Sequence, residues 1–230
     1  MRTASIDLVV APFVPVNRPL IEEYTGLWCG YCPAGYVALE ELSEELGDKF
    51  IAISYHNGDE MEIMKSADFP IAQFQNSIGY PEAQVNRAVS TYPDTESLHK
   101  LWKKYSDEFS PTNIDVEIKW TDDSHSALEA TATARFIESL DSHNYRVAFA
   151  LVADNLTNPK FVQNNNYVGK DFTGKWWELF TQGSSRVKGL VFNSILSATS
   201  GINGVEGSLP EKIEMGEAYT STYTFTMDDV

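Results

Sequence analysis

Cys29 and Cys32 stand two residues apart in Leu27-Trp28-Cys29-Gly30-Tyr31-Cys32-Pro33, and they are the only cysteines in 230 residues. A bridge across so short a loop removes little conformational entropy from the unfolded chain, so it cannot act as a staple between distant parts of a fold. The pair is therefore read for its chemistry. Before it, Leu20-Ile21-Glu22-Glu23-Tyr24 reads as a short strand ending at Thr25-Gly26. After it, Leu39, Leu42 and Leu46 recur at helical spacing from Pro33 onward, and Gly47 supplies a stop. The sulfurs thus fall where a strand hands over to a helix, a place where unpaired backbone N–H groups and the helix dipole favour an anion. A thiolate is such an anion. Cys29 is expected to be the nucleophile, with a lowered pKa. Cys32, one turn into the helix and facing inward, is expected to resolve the mixed disulfide that Cys29 forms. Gly30 permits close approach, and Pro33 suits a first turn whose N–H groups have no intrahelical partner.

The rest of residues 18–110 alternates strand and helix signals, as an α/β unit should. Phe50 to Tyr55 is a nearly continuous apolar run, expected for a strand covered on both faces. Residues 59–78, with Met61, Ile63, Met64, Phe69, Ile71, Phe74 and Ile78, suggest two short helices broken at Pro70. Ala83 to Val89 reads as a further strand. Leu98, Leu101, Trp102, Tyr105 and Phe109 then form one helical stripe, with Asp94 or Thr95 as its N-cap.

At Ser110-Pro111 the period changes to two. Ile114, Val116, Ile118 and Trp120 alternate with charged residues, and after a turn at Asp122-Asp123-Ser124 so do Leu128, Ala130, Ala132, Ala134 and Phe136 with polar ones. This predicts a half-buried antiparallel hairpin. Val147 to Val152 reads as a buried strand and Tyr219 to Thr226 as another. The organisation expected is an extended N-terminal segment (1–17), an α/β unit (18–110) and a β-rich unit (111–230), read as a β-sandwich. Asn155 to Gly207 carries little pattern beyond a short helix at Trp176 to Phe180, whose paired tryptophans read as interface packing.

Charge and composition exclude several functions. The chain holds 33 acidic and 17 basic residues, a net charge of −16, which disfavours nucleic acid and anionic lipid as partners. No stretch of apolar residues is long enough for a transmembrane helix. A zinc site needs four ligands, and His56, His99, His125 and His143 are dispersed, so no metal or other cofactor is expected. Leu8 to Val16 is interrupted by Pro12 and Pro15 and lacks a cleavage site; it reads as an edge strand or linker, so any export signal lies outside this sequence.

Trp28-Cys29-Gly30-Tyr31-Cys32 after a short strand resembles the active site of the thioredoxin superfamily, and its Gly-Tyr dipeptide is similar to that of periplasmic disulfide isomerases. The likeness implies a thioredoxin-like domain, with Gly79-Tyr80-Pro81 at the position of that superfamily's cis-proline. It implies that the Tyr80 backbone pairs with a bound peptide, that Trp28 and Tyr31 flank it, and that Glu23, six residues before Cys29, serves proton transfer. A wider likeness covers most of the chain. Ile21 to Gly26 leading into the cysteines, Gly-Tyr-Pro with Val85-Asn86-Arg87, and Val162-Gln163-Asn164-Asn165-Asn166-Tyr167 together resemble the outer membrane protein twenty-eight family. That resemblance implies an exported, often lipid-anchored bacterial cell-envelope protein. Its partners would be protein or peptide thiols and disulfides, together with a redox partner protein. The alternative is a non-catalytic periplasmic or surface binding module on the same scaffold.

Overall fold

A computed structural model describes residues 12–73 and 78–226. Strand β1 (Leu20–Thr25) runs into the cysteine loop, and helix α1 (Pro33–Leu46) leaves it. Gly47 ends α1 with φ +58°, a left-handed conformation that glycine adopts without strain. Strand β2 (Ile51–His56) returns parallel to β1, from Leu20 opposite Ile51 to Thr25 opposite His56. The expected helices of 59–78 are two 3-10 turns, Ser66–Asp68 and Pro70–Gln73, separated at the residue before Pro70, while Phe74 lies outside the described residues.

The strand expected over 83–89 is instead a hairpin, β3 (Glu82–Val85) and β4 (Val89–Thr91). Asn86 and Arg87 both take positive φ between them, which reverses the chain. β3 lies antiparallel to β1 on the side away from β2. Helix α2 (Thr95–Ser106) follows, with Asp94 as the N-cap accepting from the Ser97 N–H. Phe109 falls beyond the helix and is exposed.

The second half corrects the expected architecture. Strands β5 (Thr112–Trp120) and β6 (Ala127–Phe136) form the anticipated hairpin, and β11 (Ala218–Thr226) joins β6 to make a three-stranded sheet, β11-β6-β5. A sandwich built by this half alone does not form. Strand β7 (Ala150–Ala153) pairs with β10 (Ile195–Thr199), and β10 pairs parallel with β2, giving one six-stranded sheet in the order β4-β3-β1-β2-β10-β7. β2 is thereby flanked by parallel strands, which accounts for its nearly continuous apolar run. The three-stranded sheet lays Leu128, Ala130 and Ala132 of β6 against Val147, Phe149 and Ala198. β5 departs from the half-buried expectation: Ile114, Val116, Ile118 and Trp120 are exposed, because the elements packed on this sheet reach β6 but not its edge.

Between β7 and β10 lie a two-stranded ribbon, β8 (Val162–Asn164) with β9 (Arg186–Lys188), and a short helix α3 (Lys175–Thr181). Trp176 and Trp177 of α3 pack into a cluster with Leu27, Ala34, Val37 and Phe180, so they are interface residues, as expected. Residues 12–19 contain no strand; the part of the N-terminal segment before Pro12 lies outside the described residues.

Candidate functional site

β1 delivers the cysteines to the edge of the molecule because Tyr24 and Ile21 are anchored in the core, both fully buried. At the end of β1 the loop turns back on itself, with the Cys29 N–H donating to the Gly26 carbonyl at 3.0 Å. Cys29 and Cys32 are joined by a disulfide, with their Cα atoms 5.3 Å apart. Cys32 is the N-cap of α1 rather than a residue one turn inside it, since the helix starts at Pro33. Both cysteines are nearly covered, at 5% and 1% exposure, whereas Trp28 and Tyr31 beside them are 46% and 55% exposed.

Pro81 follows a cis peptide bond and directly precedes β3. In the β1–β3 register Tyr24 faces Glu82, so Pro81 lies at the end of β1 from which the cysteine loop departs. The Tyr80 ring meets the Trp28 ring edge-on, 5.2 Å between centroids. Trp28 is itself fixed by donating its indole N–H to the Asn57 carbonyl at 2.6 Å. Trp28, Cys29, Tyr31, Cys32, Tyr80 and Pro81 thus occupy one end of the six-stranded sheet.

Glu23 lies beneath them. It is 3% exposed and accepts a hydrogen bond from Ser54 Oγ at 2.9 Å, while its Oε1 has no hydrogen-bond partner within 3.5 Å among the described residues. Burial pushes its carboxyl from an ordinary 4.5 up to about 7, against the lowering effects of the Ser54 hydrogen bond and of His56. Gly35 makes room for it, since a Cβ there would collide with Oε1 and the rest of the carboxyl group. Glu23 and Cys32 border one small cavity, together with His56 and Gln163 and the apolar side chains of Leu39, Phe192 and Ile195. A group poised near neutrality beside a sulfur can give or take the proton that thiolate chemistry requires.

His56, one of the four histidines dispersed along the sequence, ends β2; it is buried and faces Asp59, Nδ1 to Oδ2 2.8 Å. Asp59 also accepts from the Leu27 N–H at 2.7 Å, which holds the entry to the cysteine loop. Burial alone would raise the Asp59 carboxyl, but His56 and the backbone N–H groups of Leu27 and Met61 hold it below its usual range. Glu22 turns to the other side of β1, where Arg87 grips it twice at 2.9 Å and also donates to the Ile202 carbonyl. The carboxylate that shares the cavity with the cysteines is therefore Glu23, not its neighbour.

The 163–167 segment adds a part of the site whose role the sequence did not disclose. Gln163 Nε2 donates to the Cys29 carbonyl at 2.9 Å, Asn164 donates from its backbone to Leu27 and from its side chain to Trp28, and the Asn166 N–H donates to the Gly30 carbonyl at 2.8 Å. The Tyr167 hydroxyl reaches the Tyr31 carbonyl at 3.3 Å. Successive carbonyls of the cysteine loop are thus held by one strap from the second half of the chain. Gly30 lies so close to it that a Cβ would stand 2.5 Å from Asn166 Cγ. The run Gln-Asn-Asn-Asn is a visible signal, because side-chain amides are apt ligands for an irregular backbone.

These features define a mixed α/β protein, mostly sheet, that carries a Cys-x-x-Cys disulfide at a strand-to-helix junction. No protein-family model matches the chain, and no curated protein matches it. Among solved structures, HBP35 of Porphyromonas gingivalis is similar, with a TM-score of 0.60 at 16% identity over 93% of this chain and 65% of that one. At that identity the likeness shows the fold alone, and the chain spans 65% of that protein's length. Protein AGR_C_4864 from Agrobacterium tumefaciens matches at a TM-score of 0.49 and 12% identity, covering 95% of this chain and 81% of its own.

Proposed function

We propose that this is a thioredoxin-like thiol–disulfide oxidoreductase or isomerase acting on protein or peptide cysteines in the bacterial cell envelope. The observation that carries the reading is the Cys29–Cys32 disulfide at the head of α1, sharing a cavity with a buried Glu23 whose carboxyl titrates near neutrality. The envelope setting and the thioredoxin-like character rest on the sequence resemblance.

In the reduced protein, Cys29 thiolate attacks one sulfur of a client disulfide and expels the other as thiolate, giving a mixed disulfide. Cys32, deprotonated by the Glu23 carboxylate, attacks the Cys29 sulfur. The client leaves with both its sulfurs as thiols, and Cys29–Cys32 is oxidised by the same two electrons. Run backward, the same steps oxidise a client dithiol. A redox partner protein restores the starting state, while isomerisation needs none. Tyr80-Pro81 lies beside the loop, where a client backbone would run against the exposed ring of Trp28.

Incubation with insulin or with a scrambled-disulfide protein tests the reading. Exchange by wild type that is lost in Cys29→Ser supports it, as does a client trapped covalently by Cys32→Ser. Equal rates for wild type and Cys29→Ser contradict it. A second reading, a binding module with a silent disulfide, is favoured by one observation: both cysteines are nearly covered and their loop is strapped by 163–167. It predicts a client affinity indifferent to replacement of both cysteines.

A further inference from the structure

Among the described residues, strand β5 is the outer member of its sheet, and across its nine residues Ile114, Val116, Ile118 and Trp120 share one face with exposures of 53%, 60%, 67% and 45%. A long, regular edge with apolar side chains is a template for pairing with another strand. The direction of its free hydrogen-bonding groups follows from the ladder it already makes. The Thr121 N–H donates to the Ala127 carbonyl toward β6. The two sides alternate along an antiparallel strand, so the odd-numbered residues serve β6 and the N–H and C=O groups of the four apolar residues point to the open edge.

The geometry points to a second copy of this chain as the occupant of that edge, paired antiparallel to itself about Ile118. Charge selects this register. With Ile118 facing its own copy, Val116 meets the partner's Trp120, while Glu117 meets the partner's Lys119 and Lys119 meets the partner's Glu117. Pairing about Glu117 would set that carboxylate against its copy, pairing about Lys119 would oppose two ammonium groups, and pairing about Val116 would oppose Asp115 and Glu117. The Ile118 register alone of these four places only opposite charges face to face, and it also joins apolar residue to apolar residue through the groups left free at the edge. Lys119 pairs with Glu129 on β6 at 2.7 Å, and its side chain stays largely accessible on the sheet face where the partner's Glu117 would lie. The result is an isologous dimer with one continuous six-stranded sheet. Beside the seam, Ile114, Val116, Phe136, Val147 and Phe149 line a groove of about 220 Å³, and the pairing lays the partner's Trp120 along its Val116 rim.

Sedimentation of the full chain over a range of concentrations tests this, with exposed charges as the variables. Wild type is expected to dimerise. Glu117→Lys, which sets lysine against lysine twice per dimer, is expected to weaken association about tenfold or more, and Lys119→Glu likewise. Mixing the two single variants restores both opposite-charge pairs and is expected to give a mixed dimer, with circular dichroism confirming that each variant is folded. A monomeric wild type, an undiminished Glu117→Lys dimer, or a mixture that stays monomeric overturns the inference. None of these readouts depends on the cysteines.

Discussion

Replacing Glu23 by Gln isolates the buried carboxyl that the exchange chemistry uses. In the unfolded chain this group titrates near 4.5, and in the folded protein burial carries it to about 7. The folded state therefore binds the proton more tightly. Below the unfolded value both states are protonated and folding incurs no penalty from this group. Stability then declines as pH rises from 4.5 to about 7 and is flat above that. At about 1.4 kcal/mol per pH unit, the loss amounts to about 3 kcal/mol. Gln keeps an oxygen for the Ser54 hydroxyl and cannot ionise, so its stability should not carry this decline. Urea unfolding of both oxidised proteins at about pH 4 and pH 8 gives the difference between them, in which the titrating groups not coupled to Glu23 cancel. Glu23→Gln should gain about 3 kcal/mol on wild type across that interval, or roughly 10 °C in Tm for a chain of this size. A difference that does not change with pH would refute the argument that Glu23 is desolvated. In exchange assays the same variant should lose the step that deprotonates Cys32, seen as a mixed disulfide that persists at pH 8.

Arg87→Met strands the fully buried Glu22 carboxylate, and urea unfolding should show a loss of about 3–5 kcal/mol that Glu22→Gln in the same chain largely recovers; a loss below 1 kcal/mol would show that the pair is solvated. Gln163→Ala removes the amide held against the Cys29 carbonyl, so local opening of the loop should become easier by about one hydrogen bond and reduction of the disulfide by dithiothreitol about fivefold faster. An unchanged reduction rate would mean that the strap does not control access.

The N-terminal half was legible where local chemistry decides structure. Pro33 and Gly47 bracket α1 at the residues where helix chemistry places a start and a stop, and Asp94 caps α2. Alternation marked β6 and β11, whose Leu128, Ala130 and Phe225 face the core. Alternation says which residues share a face but not whether anything covers it, and so β5 was misjudged. The hairpin at Asn86-Arg87 was hidden because its second left-handed position is taken by Arg87, which carries no turn signature, and only Asn86 favours that conformation. The pairing of β10 with β2 was not legible either, since it joins residues Ile195 and Ser54, and nothing local specifies a contact of that range. The site divides in the same way. Cys29, Cys32, Trp28 and Glu23 are set by spacing along one stretch. Gln163, Asn166 and Gly35 acquire their meaning only from what folds against them: Gly35 from a carboxylate on the neighbouring strand, Gln163 and Asn166 from a loop more than a hundred residues away.

The account depends on Cys29 being the activated sulfur. Alkylation of the reduced protein as a function of pH, followed by mass spectrometry at Cys29, measures this directly. The position of Cys29 ahead of the α1 N-terminus predicts a midpoint well below the roughly 8.5 of an ordinary thiol. A midpoint at or above that value would contradict it.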